Sequence, residues 1–264
     1  MAFIELEKHR RGHYALVTFN RPERLNAFGA EMWRQFGDML NEVHRDDAVR
    51  ATIITGAGRA FSAGRDLKET AERDAVGLPR DPTIEEIGHD VLALRRALAR
   101  SLKPWIAAVN GPAMGGGLER ALDADIRIAS TAARFGSPEV ARGIVASYAV
   151  HHLPTVVPMG EALYLLLTGE PLDAAEALRI GLVREVVEPD QLLPRAVEIA
   201  TSIGRQAPLA LQATKQIAQH ARLRAIDESY DFSVNLLRQV SDSEDAREGA
   251  RAFVERRTPN WLAR

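Results

Sequence analysis

The sequence predicts an α/β fold, and three observations carry that prediction. Short apolar runs alternate with segments of helical spacing through the first two-thirds of the 264 residues. Glycine-rich turns directly follow two of those runs, at Gly56–Gly64 and at Gly111–Gly117. Past about residue 157 the strand signal fades to one run, and amphipathic helical segments take over.

The elements follow in order. Phe3–Lys8 and Tyr14–Phe19 are β-rich runs around a turn-like Arg10–His13 stretch, which reads as a hairpin. Asn20–Asn26 is punctuated by Asn and Pro and reads as a loop. Glu31–Val43 places Met32, Trp33, Phe36, Met39, Leu40 and Val43 at helical spacing. Ala51–Thr55 is a compact strand closed by Gly56 and Gly58. Glu69–Asp81 is polar, carries Gly77 and Pro79, and is expected to be a mobile loop. Ile84–Leu102 resumes a helix through Val91, Leu92, Leu94 and Leu98. Trp105–Val109 and Ile126–Ala129 are further strands, the first ended by Asn110-Gly111-Pro112. Leu182–Val187 is the last strand-like run. Leu192–Ile203, Pro208–His220, Ile226–Gln239 and Asp245–Arg256 are amphipathic and build a helical tail. That tail is expected to pack on the core or on a neighbouring subunit.

Composition removes several function classes. With 19 Gly and 13 Pro the chain is neither collagenous nor of low complexity. A net charge of −2 without a basic stripe argues against a nucleic-acid binder. The absence of Cys removes disulfides, thiolate zinc sites, iron–sulfur clusters and a thiol nucleophile. No run of about 18 apolar residues exists to cross a membrane. The segment Met1–Lys8 is charged too early for a signal h-region, so a cytoplasmic protein is expected.

Some motifs are only superficial. Gly56-Ala57-Gly58 lacks the third glycine of a dinucleotide fingerprint, since Phe61 stands there. His151 and His152 are adjacent, about 100° apart on a helix, and make a poor metal pair. No metal site is expected. A Gly-x-Ser-x-Gly elbow is absent.

Two glycine segments resist a purely structural reading. Phe61-Ser-Ala-Gly-Arg-Asp-Leu67 follows a strand, and so does Asn110-Gly-Pro-Ala-Met-Gly-Gly-Gly-Leu-Glu119. Three glycines at a helix start cost roughly 2–3 kcal/mol of propensity relative to Ala. Close backbone approach or positive φ repays such a cost. Bare N–H groups at a helix N-terminus also attract negative charge. Glu119 lies one turn inside that helix, and Glu139 follows Ser137, a candidate cap, and Pro138, a candidate first helical residue. An acid in a first turn can simply favour the dipole. Two acids beside an anion-binding backbone can divide acid and base roles.

At these residues the chain resembles the crotonase, or enoyl-CoA hydratase/isomerase, superfamily. The resemblance runs through Asn20-Arg-Pro, Leu25-Asn-Ala27, Phe61–Leu67, Ala107–Glu119, Asp125–Ala129 and Phe135–Glu139. Leu167–Glu170, Ala174–Val183 and Ser243–Gly249 extend it over nearly the whole chain. Each piece is weak alone; their order and spacing are specific.

The resemblance implies a spiral of ββα units over residues 1–195, which holds an acyl-CoA site. It also implies a helical C-terminal portion over 196–264 used for oligomerisation into trimers or hexamers. Backbone N–H groups of Arg65 and Gly116 would stabilise a thioester enolate. Glu119 would orient and deprotonate water for attack at Cβ, and Glu139 would deliver a proton to Cα. Arg24, Ala27, Ala63, Gly64, Asp66, Leu67 and Gly115 would line the CoA thioester. Coenzyme A would be part of the substrate, with no separate cofactor. The implied activity is reversible syn hydration of a 2-enoyl-CoA. Enoyl-CoA isomerase, carnitinyl-CoA-like dehydratase and C–C lyase chemistry use the same oxyanion hole, and a non-catalytic acyl-CoA binder is the rival from another class. The chain departs from the family where Tyr148, Val150, His151 and His152 replace small residues near the expected acyl pocket. It departs again at Arg120, beside Glu119.

Overall fold

The computed structural model describes residues 2–78, 83–88, 94, 98, 101–142, 145–146, 148–223, 243–245, 248, 252, 255 and 257–264. A six-stranded sheet has the order β1-β2-β3-β4-β6-β9, formed by Ile4–His9, Tyr14–Phe19, Ala51–Gly56, Trp105–Val109, Ile126–Ser130 and Glu185–Val187. The hairpin β1–β2 is antiparallel, with Leu6 opposite Val17; every later neighbour is parallel. Parallel pairing requires crossover connections, and these carry the helices. A second sheet of three short strands joins β5 (Pro112–Met114), β7 (Arg134–Gly136) and β8 (Leu172–Asp173).

The two sheets repeat one unit. A strand of the large sheet is followed by a short extended piece in the second layer, then by a helix. β2 leads to Phe28 and the helix Ala30–Arg45; β3 leads to Ser62 and the helix Leu67–Ala75. β4 leads to β5 and the helix Gly116–Asp123. Isolated bridges Phe28–Arg65 and Ser62–Ala113 tie successive units side by side. This is the expected spiral of ββα units.

Period-2 alternation along β2 divides the core between both sheet faces. Ala15, Val17 and Phe19 join one cluster with Met32, Trp33, Phe36, Phe61, Leu118 and Phe135. Tyr14 and Leu16 join the other, with Ile53, Ile106 and Ile128, under Leu192, Ala196 and Ala200 of the helix Pro189–Gly204. That helix is continuous through residues 195 and 196 and covers the sheet of its own chain. The next helix, Pro208–Leu223, is pinned to the core by Lys215, which pairs with Asp125 at 2.7 Å.

Four expectations are corrected. Residues 67–75 form a helix, where a loop was expected from Glu69 onward. Asp66 explains it: Oδ1 accepts the N–H groups of Lys68 and Glu69, each at 3.1 Å, as an N-cap does. Glu69 in turn accepts the Ala30 N–H at 2.8 Å and so serves the start of the preceding helix. The expected helix Ile84–Leu102 begins as a short piece, Ile84–Ile87, capped by Thr83 and closed by Gly88 at φ +70°. Leu94 and Leu98 are helical and buried, whereas Leu102 lies beyond the helix; Val91 and Leu92 lie outside the described residues. The last strand is shorter than Leu182–Val187, because Gly181 turns the chain at φ +79° and pairing starts at Glu185. The sequence also failed to show the small sheet, whose strands have three residues or fewer. Ile226–Gln239 and most of Asp245–Arg256 lie outside the described residues.

Candidate active site

The two glycine-bearing turns meet where the second layer passes into helices. Ser62 donates its N–H to Pro112 O at 3.1 Å and accepts from Met114 N–H at 3.0 Å. Its buried hydroxyl donates to Asn26 O at 2.8 Å and accepts the Gly64 N–H at 3.1 Å. Phe28 N–H bonds Gly64 O at 2.7 Å, and Asp66 N–H bonds Phe28 O at 3.0 Å. In a parallel bridge these bonds use the neighbours of Arg65, so its own N–H faces the opposite side. Gly116 lies there. A Cβ on Gly116 would stand 3.6 Å from Arg65 N and 3.4 Å from Gly64 Cα.

Each of the three glycines has its own reason. Gly115 is the N-cap residue of the helix Gly116–Asp123 and adopts φ +53°, a region that L side chains avoid. Gly117 approaches so closely that a Cβ would lie 2.0 Å from Ser62 O. Gly116 has room for a methyl group, and that room is the gap beside Arg65 N–H.

Both acids sit around the same helix start. Glu119 is 3% exposed, and its Oε1 accepts N–H bonds from Tyr148 at 2.9 Å and Ala149 at 3.3 Å. These donors open the helix Ala149–Val156. Glu139 is also buried; Oε2 accepts the Ser137 hydroxyl at 2.8 Å, and Oε1 lies 3.1 Å from where a Gly115 Cβ would stand. Ser137 therefore holds the acid; it caps no helix at Pro138, and only a 3-10 turn, Val140–Arg142, follows. Gly115 and Glu119 are four residues apart, just over one helical turn and about 6 Å along the axis. Glu119, the Glu139 carboxylate and the Arg65 turn thus all lie around the start of one short helix, Gly116–Asp123.

Arg120 projects elsewhere. Its guanidinium lies 5.1 Å from the Trp33 ring centre and pairs with Asp123 at 2.9 Å, both side chains fully enclosed. It fastens the helix to the aromatic cluster.

The residues expected around coenzyme A are also neighbours. Ala63 N–H bonds Leu25 O at 2.9 Å, which sets Arg24–Ala27 against Ala63–Leu67. One guanidinium nitrogen of Arg24 is buried with no hydrogen-bond partner among the described residues. Ala27 and Gly64 are buried, Ala63 is half-buried and Leu67 is exposed. Asp66 is occupied otherwise: besides its cap it pairs with Arg21 at 2.7 Å. Asn26, at φ +56°, was not anticipated as a site residue. Its side chain donates to Ala57 O at 2.9 Å and Ala60 O at 2.7 Å and accepts from Arg21 N–H at 2.8 Å. Ser62 was equally unforeseen; the only signal was a polar residue set in an apolar run, Ala60-Phe61-Ser62-Ala63.

Comparison with known proteins places this geometry. The profile of the enoyl-CoA hydratase/isomerase family matches residues 10–264. The chain belongs to this family. A short-chain-enoyl-CoA hydratase of Clostridium acetobutylicum is 40% identical over 96% of this chain and 95% of its own. An (E)-benzylidenesuccinyl-CoA hydratase of Thauera aromatica is 39% identical over 94% of each chain. The crystal structure of an enoyl-CoA hydratase from Mycobacterium tuberculosis superposes with a TM-score of 0.90 at 35% identity, covering 100% of both chains. In the segment after Glu139, Tyr148 and His152 stack with ring centres 3.7 Å apart.

Proposed function

We propose that this protein adds water reversibly across the double bond of a 2-enoyl-CoA thioester. The observation that carries the proposal is that Glu119 lies in the first turn of a glycine-started helix, Glu139 lies against the N-cap Gly115 of the same helix, and its Gly116 faces the Arg65 turn. Arg65 and Gly116 N–H groups receive the thioester oxygen, and charge that develops there meets donors already in place. Glu119, its Oε1 fixed by two backbone donors, takes a proton from water as the oxygen attacks Cβ. Glu139, with Oε2 engaged by Ser137, presents Oε1 beside Gly115 and delivers a proton to Cα. The steps place H on Cα and OH on Cβ and leave Glu119 protonated and Glu139 ionised; proton exchange with solvent resets the pair, so the reaction balances without a separate cofactor. Coenzyme A enters as part of the substrate, held by Arg24, Ala27, Ala63 and Leu67 around the turn that Asp66 stabilises.

Two retained carboxylates favour a hydratase over a pure acyl-CoA binder, which needs neither. Crotonyl-CoA turnover, followed as loss of the conjugated thioester absorbance, tests this. Saturable turnover lowered by roughly 10²–10⁴ in Glu119→Gln is the expected result; tight binding without turnover of any 2-enoyl-CoA would overturn it.

The working form is a homotrimer or a hexamer. The helix Met159–Thr168 supports this, since Met159, Leu163, Tyr164 and Leu167 are all exposed on it. Among the described residues no helix is long and apolar enough to cross a membrane.

A further inference from the structure

We propose that the stacked rings of Tyr148 and His152 form a latch that aims Glu119, which makes His152 a positioning residue for hydration. The inference rests on the reading of Glu119 as the base. Tyr148 and His152 are four residues apart, the spacing at which helix side chains meet. Their planes are 13° apart at a centroid separation of 3.7 Å. The backbone closes the same loop, because the His152 N–H bonds Tyr148 O at 3.2 Å. The turn so closed is the one whose Tyr148 and Ala149 N–H groups hold Glu119 Oε1. Any rotation of this turn swings both donors and moves the carboxylate with them.

The helix needs such a brace. Ala149–Val156 has only eight residues, no side chain caps its start, and Pro154 lies inside it. Proline has no N–H to return to the carbonyl four residues back, here that of Val150. A helix this short is marginal without outside support. Ala149 and Leu153 anchor one side in the core, and Tyr148 also packs against it. The stack ties the remaining side, so the first turn is held from both. Neither ring has to exchange a proton with substrate for this.

The test compares His152→Ala, His152→Phe and Glu119→Gln on one 2-enoyl-CoA. His152→Ala should lower kcat roughly ten- to a hundredfold, as misplacement of a catalytic group does, with KM changed less than about twofold. His152→Phe restores a flat ring and should recover most of kcat with the pH profile unmoved. Should His152→Ala fail to fold by circular dichroism, Tyr148→Leu removes the stack and keeps both backbone donors, with the same expected fall. A wild-type kcat in the ring-deleted variant overturns the latch. So does a His152→Phe enzyme as slow as His152→Ala with a shifted pH profile, since the imidazole would then be a proton carrier. Glu119→Gln separates the two readings. If it is inactive, the role of Glu119 stands whatever His152 does; if it keeps full turnover, that role falls and the latch falls with it.

Discussion

A methyl group on Gly116 would stand 3.6 Å from the backbone nitrogen of Arg65, inside the gap between the two glycine-bearing turns. It would meet Gly64 Cα at 3.4 Å, an ordinary contact, so the fold has no reason to shift. Gly116→Ala should therefore lower kcat on the order of 10²-fold, comparable to losing one oxyanion donor, with the melting temperature little changed. Arg65→Ala keeps its backbone donor and should cost much less. Equal losses in both variants would mean that the Arg65 side chain itself touches substrate.

Gly117 offers the opposite outcome one residue away. Its Cβ would lie 2.0 Å from Ser62 O and 2.8 Å from Ser62 C, both backbone atoms that cannot move aside cheaply. Gly117→Ala should destabilise the protein by more than about 2 kcal/mol, the range of overpacked interiors. Thermal melting of the Gly116→Ala and Gly117→Ala variants side by side reads the contrast. A Gly117→Ala protein as stable as the wild type would refute the packing of these two turns.

Glu119→Gln and Glu139→Gln should each lower turnover by roughly 10²–10⁴, the usual worth of a general acid or base. Gln keeps an acceptor oxygen for Tyr148 N–H or for Ser137 hydroxyl, so neither variant should disturb the local backbone. Affinity for an unreactive acyl-CoA, measured by calorimetry, should stay nearly the same. A variant that keeps more than about half the wild-type rate removes its residue from the mechanism.

The exposed apolar face of Met159–Thr168 leads to an assembly prediction. Leu167 is 69% exposed at its end, so a charge there stays solvated in a monomer, and its clash with the helix dipole costs less than about 1 kcal/mol. Leu167→Glu should shift the mass seen by light scattering toward smaller species at micromolar concentration. An unchanged trimer or hexamer would place the contact on another surface.

The sequence made some of this legible and hid the rest, for physical reasons. Trp105–Val109 was readable to the residue, because a buried parallel strand is a continuous apolar run ended by Asn110-Gly111. Gly115–Gly117 stand out in the sequence because three glycines opening a helix are costly, and the structure gives Gly115 a positive φ and Gly117 a close approach. The helix after Asp66 was hidden: its cap is a carboxylate, while Gly77 and Pro79 dominate the composition nearby. The backbone donors to Glu119 were hidden more deeply, since they belong to Tyr148 and Ala149 and carry no side-chain signal. What backbone geometry contributes to a site is visible in sequence only where glycine or proline marks it.

A last prediction concerns pH and stability, away from the active site. His44 lies half-buried in the last turn of the helix Ala30–Arg45, with Nε2 3.1 Å from the Ser101 hydroxyl. Burial pushes its pKa below the ordinary 6.5, and the nearby charges of Lys103 and Lys215 push the same way. Both lysines are tied in place, Lys103 to the carbonyls of Val43 and Asp46 and Lys215 to Asp125, so neither can withdraw. The unfolded chain then takes up the proton first as pH falls, and between the two pKa values it binds more protons than the folded chain. Stability from this group is complete above 6.5 and is lost as pH falls through the lower, folded value. The urea midpoint should accordingly drop between about pH 7.5 and about pH 5.5, and His44→Gln should flatten that slope while keeping a polar contact to Ser101. An identical slope in the variant would show that His44 titrates alike in both states, and that its burial against the two lysines carries no pH-dependent cost.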